Sequence, residues 1–306
     1  MRSLLGVAFF AAVFAPSIAG AQDENLAPLI LRLPSSARAL AMGNVAVAGR
    51  DDDVLFYNPA QLVAARGMSV SIEQFTPTAR TGALSSVTRF NSGGIAIGAT
   101  IAQFQTPAGV FPVARPDLLT GGAVRSTSGT LVVGVAQVFK STRFGGAAKL
   151  VDEQVGQSRN TRAVFDVGLG RDFFGYNFGL AVQNIGKSFA PITIPGTGIT
   201  ADSHMPLRVT FGAVKGWLLG PVDLGATAAV STLRDGFVIP AGGAELQYSW
   251  LDGYTVIVRA GGRRPEIGEG PFTAGAGFIM DRLAVDYALE TLKGSRVAHR
   301  IGFRVR

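Results

Sequence analysis

From Met68 onward the chain alternates apolar and polar residues with a period of two, the mark of strands that turn one face to an apolar medium and the other away from it. The last hairpin is the clearest case. Across 282–291, Leu283, Val285, Tyr287 and Leu289 share one face, opposite Arg282, Ala284, Asp286, Ala288 and Glu290. Across 297–306, Val297, His299, Ile301, Phe303 and Val305 oppose Ala298, Arg300, Gly302, Arg304 and Arg306. The polar faces carry mostly Gly, Ala and Thr with isolated charges. Segments of this kind number about fourteen, near 68–75, 82–90, 94–104, 118–126, 129–141, 162–171, 176–186, 206–217, 221–231, 240–250, 254–262, 271–280, 282–291 and 297–306.

Their connections alternate in length. Longer loops follow the odd-numbered segments, as at Gln105–Asp117, Thr142–Thr161, Lys187–Met205 and Arg263–Gly270, and tight turns follow the even ones, as at 91–93, 172–175, 218–220, 251–253 and Asp281. This predicts an all-β fold: a transmembrane up-and-down antiparallel β-barrel of about 14 strands, with long loops outside and short turns and both termini on the periplasmic side. A soluble sandwich gives no reason to sort loops by parity. A closed barrel also satisfies every backbone N–H and C=O within lipid. Tyr176, Trp217, Tyr248, Trp250 and Tyr254, close to the short turns, then form an interfacial aromatic girdle.

Before Met68 the alternation stops. Arg38 to Ala65 is rich in small residues and contains Asn58-Pro59, which fixes a turn. A fourteen-strand barrel is too wide for its own side chains to fill. Residues 22–67 are therefore expected to form an N-terminal plug or hatch inside the lumen, with Met42, Gly43, Asn58, Pro59 and Ala60 as its gate. Upstream, Met1-Arg2-Ser3, an apolar run from Leu4 to Ala15, Pro16 and Ala19-Gly20-Ala21 read as a signal peptide. The expected organisation is signal peptide 1–21, hatch 22–67 and outer-membrane barrel 68–306.

Composition narrows the chemistry. Forty Gly, 47% apolar and 16% charged residues suit one large β domain, and the absence of Cys removes disulfides and every thiolate site. The net charge of +7 is scattered, so outer-membrane lipid and lipopolysaccharide are its expected partners and nucleic acid is not. The two histidines, His204 and His299, form no pair, and no Gly-x-Ser-x-Gly or Gly-x-Gly-x-x-Gly occurs; neither an enzyme nor a cofactor is expected. Asp51-Asp52-Asp53 lacks the alternation of a calcium loop, so it reads as a solvated turn or as a partner of lumen arginines, and no metal is expected. The inward charges Glu73, Asp166, Arg208, Asp223, Glu245, Arg259, Asp286, Glu290, Arg300 and Arg304 either pair with one another and the plug or form a ligand site. In the second case Arg208, Arg259, Arg300 and Arg304, with Glu245 and Asp286 beside them, line the lumen and an arginine receives the carboxylate of an amphipathic ligand.

The run Ser36-Ala37-Arg38-Ala39-Leu40-Ala41-Met42-Gly43, followed by Tyr57-Asn58-Pro59-Ala60-Gln61-Leu62, resembles the PorV/PorQ family, a branch related to the FadL long-chain fatty-acid transporters. Val182-Gln183-Asn184-Ile185-Gly186, Met205-Pro206-Leu207-Arg208 and Asp286-Tyr287-Ala288 follow in the same order. The resemblance implies a fourteen-strand barrel with an N-terminal hatch. Within that group one branch moves hydrophobic molecules inward, and PorV-like members serve type IX secretion. The chain departs from the usual aromatic C-terminus by ending Phe303-Arg304-Val305-Arg306. Two functions are thus expected in order: binding or passive transport of hydrophobic or amphipathic, fatty-acid-like molecules through a hatch-gated lumen, and binding of exported proteins or a secretion complex through loops such as Thr142–Thr161 and Lys187–Met205.

Overall fold

The computed structural model describes residues 28–51, 53–105, 125–155, 158–189, 192–193, 200–201, 204–266 and 268–305. The expected signal peptide 1–21, residues 22–27 of the expected hatch, Asp52, most of the segment 118–126 and much of the loops 105–117 and 187–205 lie outside them.

Alternation becomes a closed antiparallel barrel of fourteen strands. In chain order these are β1 (Gly67–Thr76), β2 (Ala79–Phe90), β3 (Gly93–Gln105), β4 (Arg125–Phe139), β5 (Thr142–Val155), β6 (Ser158–Phe173) and β7 (Tyr176–Ile185). A small separate pair, β8 (Ile192–Thr193) and β9 (Thr200–Ala201), comes next. The wall resumes with β10 (Arg208–Leu219), β11 (Val222–Leu233), β12 (Val238–Leu251), β13 (Tyr254–Arg263), β14 (Glu269–Met280), β15 (Leu283–Leu292) and β16 (Arg296–Val305). Met68 of β1 lies opposite Val305 of β16, which closes the cylinder without an edge.

The strand count agrees with expectation, but two individual segments do not. Thr142–Thr161, expected as a long loop, is β5 and the start of β6. The expected segment 118–126 contributes only Arg125 and Ser126, the first residues of β4, to a described strand. The reason is local. The inner face of β5 reads Arg143, Gly145, Ala147, Lys149, and Gly145 is bare because Ala60 approaches it so closely, so the apolar period is weak there.

One end of the barrel has six two-residue connections, 91–92, 140–141, 174–175, 220–221, 252–253 and 281–282. At the other end the connections range from two residues to the long 106–124 and 186–207. The outer face is apolar, with Ile72, Ile97, Leu131, Phe165, Phe211, Val258 and Phe303 all exposed. Trp217, Trp250, Tyr176, Tyr248 and Tyr254 are exposed near the short turns, and Trp250 stacks on Phe278.

Residues 28–66 run inside this wall. They enter the description at the long-connection end, where Ile30 and Leu33 pack with Phe75, Phe104, Phe189, Met205 and Leu292. They then descend through a short helix, Ala37–Ala41, and two 3-10 turns, Val54–Phe56 and Pro59–Val63, to join β1 at the short-turn end. The first described residues are thus not at the short-turn end, where both termini were expected; Val305 is, and residues 1–27 lie outside the described part.

Candidate functional site

The barrel encloses a lumen, and among the described residues the inner segment nearly fills it. Ser36 begins the short helix by accepting a hydrogen bond from Ala39 N at 3.0 Å. Gly43 and Asn44 end it with positive φ, 74° and 60°, while Asn44 N donates to Ala39 O. The segment can sit this close only because the facing wall is bare. A Cβ on Gly243 would lie 2.6 Å from Met42 Cα, and one on Gly275 would lie 2.6 Å from Ala41 Cβ. On the opposite wall, Gly168 faces Asn58 and Gly179 faces Val47 O with no room for a side chain.

Asn58 is both a local cap and an anchor. Its Oδ1 accepts from Ala60 N at 3.0 Å, and its Nδ2 donates to Val47 O at 2.7 Å and to the wall carbonyl Leu169 O at 3.0 Å. Pro59 follows as the first helical residue, where its missing N–H costs nothing. Gly43 N donates to Thr273 Oγ1 of β14 at 3.0 Å. All five expected gate residues are therefore at the segment–wall contact or next to it.

Four of the six expected lumen charges join Arg38 and Asp51 in a closed ring. Arg38 of the segment bonds Glu245 of β12 at 2.5 Å, Glu245 bonds Arg259 of β13 at 2.9 Å, and Arg259 bonds Asp286 of β15 at 2.6 Å. Asp286 bonds Arg304 of β16 at 2.7 Å, Arg304 bonds Asp51 at 2.9 Å, and Asp51 returns to Arg38. β14 lets the Arg259–Asp286 pair pass because it presents Gly277, where a Cβ would fall 2.7 Å from Asp286 Oδ1. The other two expected arginines sit nearer the long-connection end. Arg300, fully buried, donates to Glu73 at 2.6 Å, Ser71 at 2.8 Å, Thr81 at 3.0 Å and Pro34 O at 2.5 Å. Arg208 pairs with Glu266, which also holds Arg32 of the segment at 2.7 Å. Desolvation alone raises the Glu266 carboxyl, but the Arg208 and Arg32 guanidiniums outweigh it and hold it below the ordinary carboxylate range.

All six lumen residues singled out from the sequence thus carry carboxylate–guanidinium pairs. Of the remaining inward charges, Asp166 bonds Lys149 at 2.6 Å, Glu290 bonds Arg263 at 2.6 Å, and Asp223 is exposed at the short-turn rim. His299 faces outward and meets the Tyr287 hydroxyl at 2.6 Å. Sequence reasoning missed Arg38, Arg32 and Glu266, and it missed the wall glycines as contacts. Glycines recurring on the inward strand faces, such as Gly168, Gly170 and Gly179, were the signal for the last.

A cavity of about 360 Å³ remains at the short-turn end, between the segment and β7, β10, β11 and β12. Met42, Val45, Ala46 and Val214 give it apolar walls, and Arg38, the most exposed ring member at 23%, and Asp53 give it polar ones. Two smaller spaces of about 40 Å³ each flank Tyr57, whose hydroxyl donates to Asn44 at 2.8 Å. Burial and the charge of Asp53 push the Tyr57 phenol well above its ordinary range, so it stays a neutral donor.

No family model and no curated protein sequence matches the chain. Solved structures do match its fold. The Ralstonia pickettii toluene transporter TbuX is 14% identical, with 90% of this chain and 100% of that one covered and a TM-score of 0.58. The Pseudomonas putida toluene transporter TodX is 13% identical, with 89% and 97% covered and a TM-score of 0.59. A Pseudomonas aeruginosa FadL homologue is 11% identical, with 88% and 97% covered and a TM-score of 0.55. The chain has the FadL-type barrel fold. At these identities the likeness speaks for the fold alone.

Proposed function

We propose that the protein is an outer-membrane barrel through which hydrophobic small molecules pass passively, gated by residues 22–67 after removal of a signal peptide, 1–21. The short turns face the periplasm and the apolar outer wall faces lipid. The observation that carries the reading is the lumen. It has an apolar cluster at one end, an apolar-walled cavity at the other, and between them a segment held by a ring that divides evenly. Cut at Arg38–Glu245 and Arg304–Asp51, the ring gives a segment half, Arg38 with Asp51, and a wall half, Glu245, Arg259, Asp286 and Arg304. Each half has zero net charge, so parting the ring strands no buried charge, and Glu266 keeps Arg208 when Arg32 leaves it. Transport of toluene, named for two of the barrels with this fold, fits such a path. With every lumen arginine above engaged by a carboxylate, a neutral cargo suits the site better than a fatty acid.

The secretion role implied by the PorV/PorQ resemblance drew on two surface loops, and the first of them, Thr142–Thr161, is wall. It is therefore not carried forward. The test is uptake of radiolabelled toluene and of a long-chain fatty acid by lipopolysaccharide-bearing cells expressing the barrel, with Arg38→Met/Asp51→Asn as the loosened variant. The expected result is barrel-dependent toluene entry that rises in the variant. Entry no faster than in cells without the barrel, for both variant and parent, ends the transport reading.

A further inference from the structure

We propose that the outer face between β6 and β10, at the short-turn end, binds the phosphate headgroup of an anionic phospholipid through Lys215 and Arg171, with Tyr176 and Trp217 as its aromatic frame. The proposal rests on the membrane reading above.

Lys215 shares its strand face with Phe211 and Trp217, 55% and 39% exposed, so its stem points out of the barrel. Arg171 lies opposite Phe178 on the outward face of β6, which also carries Phe165, Leu169 and Phe173. A cation on a lipid-facing wall is costly unless it reaches the interface. Both are placed to do so, four residues before the end of β10 at Leu219 and two before the end of β6 at Phe173.

Neither cation has a carboxylate partner among the described residues. The acid nearest in sequence, Asp172, turns the other way and is held by Arg143 at 3.0 Å and Arg50 at 2.7 Å. The Lys215 ammonium lies instead 4.1 Å from the Tyr176 ring centre and 5.5 Å from that of Trp217. Aromatic faces attract it from one side and satisfy none of its three N–H groups. Above it, Phe178 stacks on Phe211 at 6.2 Å and 13°, a smooth apolar track up the wall. Two unpaired cations at the foot of an apolar track match a phosphodiester with an acyl chain attached. A zwitterionic headgroup brings its own cation into the same space, so the anionic lipid is preferred.

The experiment is native mass spectrometry of the full barrel in detergent, titrated with phosphatidylglycerol and phosphatidylcholine of equal chain length. Wild type is expected to retain phosphatidylglycerol about 25-fold over phosphatidylcholine, the product of about fivefold for each of two interfacial cations. Lys215→Gln should lower that retention about fivefold, and Lys215→Gln/Arg171→Gln should abolish the preference. Lys140→Gln should leave it unchanged, because that turn cation lies over Phe139 alone. Heat-modifiable electrophoretic mobility verifies that each variant is folded. Equal retention of both lipids by wild type, or an undiminished preference in the folded double variant, overturns the site. If wild type also fails to insert into phosphatidylcholine vesicles, the membrane reading falls with it; insertion without lipid preference removes the site alone.

Discussion

Adding one methyl group to the wall should unseat the inner segment. In Gly243→Ala the new Cβ falls 2.6 Å from Met42 Cα, 2.7 Å from its Cβ and 2.8 Å from its carbonyl carbon, while ordinary contact begins at 3.4 Å. The obstacle is backbone, not the free end of a side chain, so the segment has to retreat by about 0.8 Å. Overpacking of this kind costs about 1–3 kcal/mol, which raises the unseated fraction about 5- to 150-fold. Since the chain has no cysteine, Leu40→Cys, at a fully buried position of the segment, gives a single thiol reporter. Its labelling rate with a maleimide tracks the unseated population when reseating is fast. The control is Gly146→Ala on the outer face of β5, whose new Cβ would have no neighbour nearer than 3.8 Å. Labelling should accelerate in Gly243→Ala and not in Gly146→Ala. Equal rates in the two would refute the close seating argued above.

Arg38→Met and Asp51→Asn should each destabilise the seated segment by about 3 kcal/mol, yet the double variant should cost less than their sum by about 1–3 kcal/mol, because it removes one neutral half of the ring; chemical denaturation of all four proteins reads this coupling. Arg300→Met leaves Glu73 buried without its partner and should lower stability by about 3–5 kcal/mol, measured as the loss of heat-modifiable mobility. The Arg32–Glu266 tie should be pH-sensitive with a definite sign. The Glu266 carboxyl is held below its usual value of 4.5, so its contribution is complete above that pH and disappears as pH falls through the lower, folded value. Labelling at Leu33→Cys with a dipyridyl disulfide, divided at each pH by the rate of an unfolded thiol control, should therefore be constant above pH 4.5 and rise at lower pH, and Glu266→Gln should remove that rise.

Much of the barrel was legible because its outer face is apolar and its inner face small and polar, and a period of two follows from that. It fades where the inner segment, not solvent or a charge pair, fills the inner face. At β5, Gly145 faces Ala60, so the residue that would have marked an inward position has no side chain to show. The strand count survived because one missed strand and one segment placed largely before β4 offset each other. For the charges, sequence alone indicated that Glu245, Arg259, Asp286 and Arg304 face inward together. It did not indicate the ring, because which acid meets which base depends on register, such as Glu245 opposite Arg259, and on the descent of the segment that brings Arg38 and Asp51 alongside. Arg32 and Glu266 are 234 residues apart and meet only across the closed cylinder.

Arg300 also bears on the order of assembly. It belongs to β16, the last strand made, and it bonds Ser71 and Glu73 of β1, the first, across the seam where the cylinder shuts. The same guanidinium takes Pro34 O from the inner segment. The weld between the two ends of the wall is thus made through the backbone of its contents, and the segment precedes the whole wall in the chain. The inner segment acts as a mandrel on which the wall is wound, so a chain lacking residues 28–66 is expected to accumulate as unclosed sheet on refolding, with the mobility of unfolded protein.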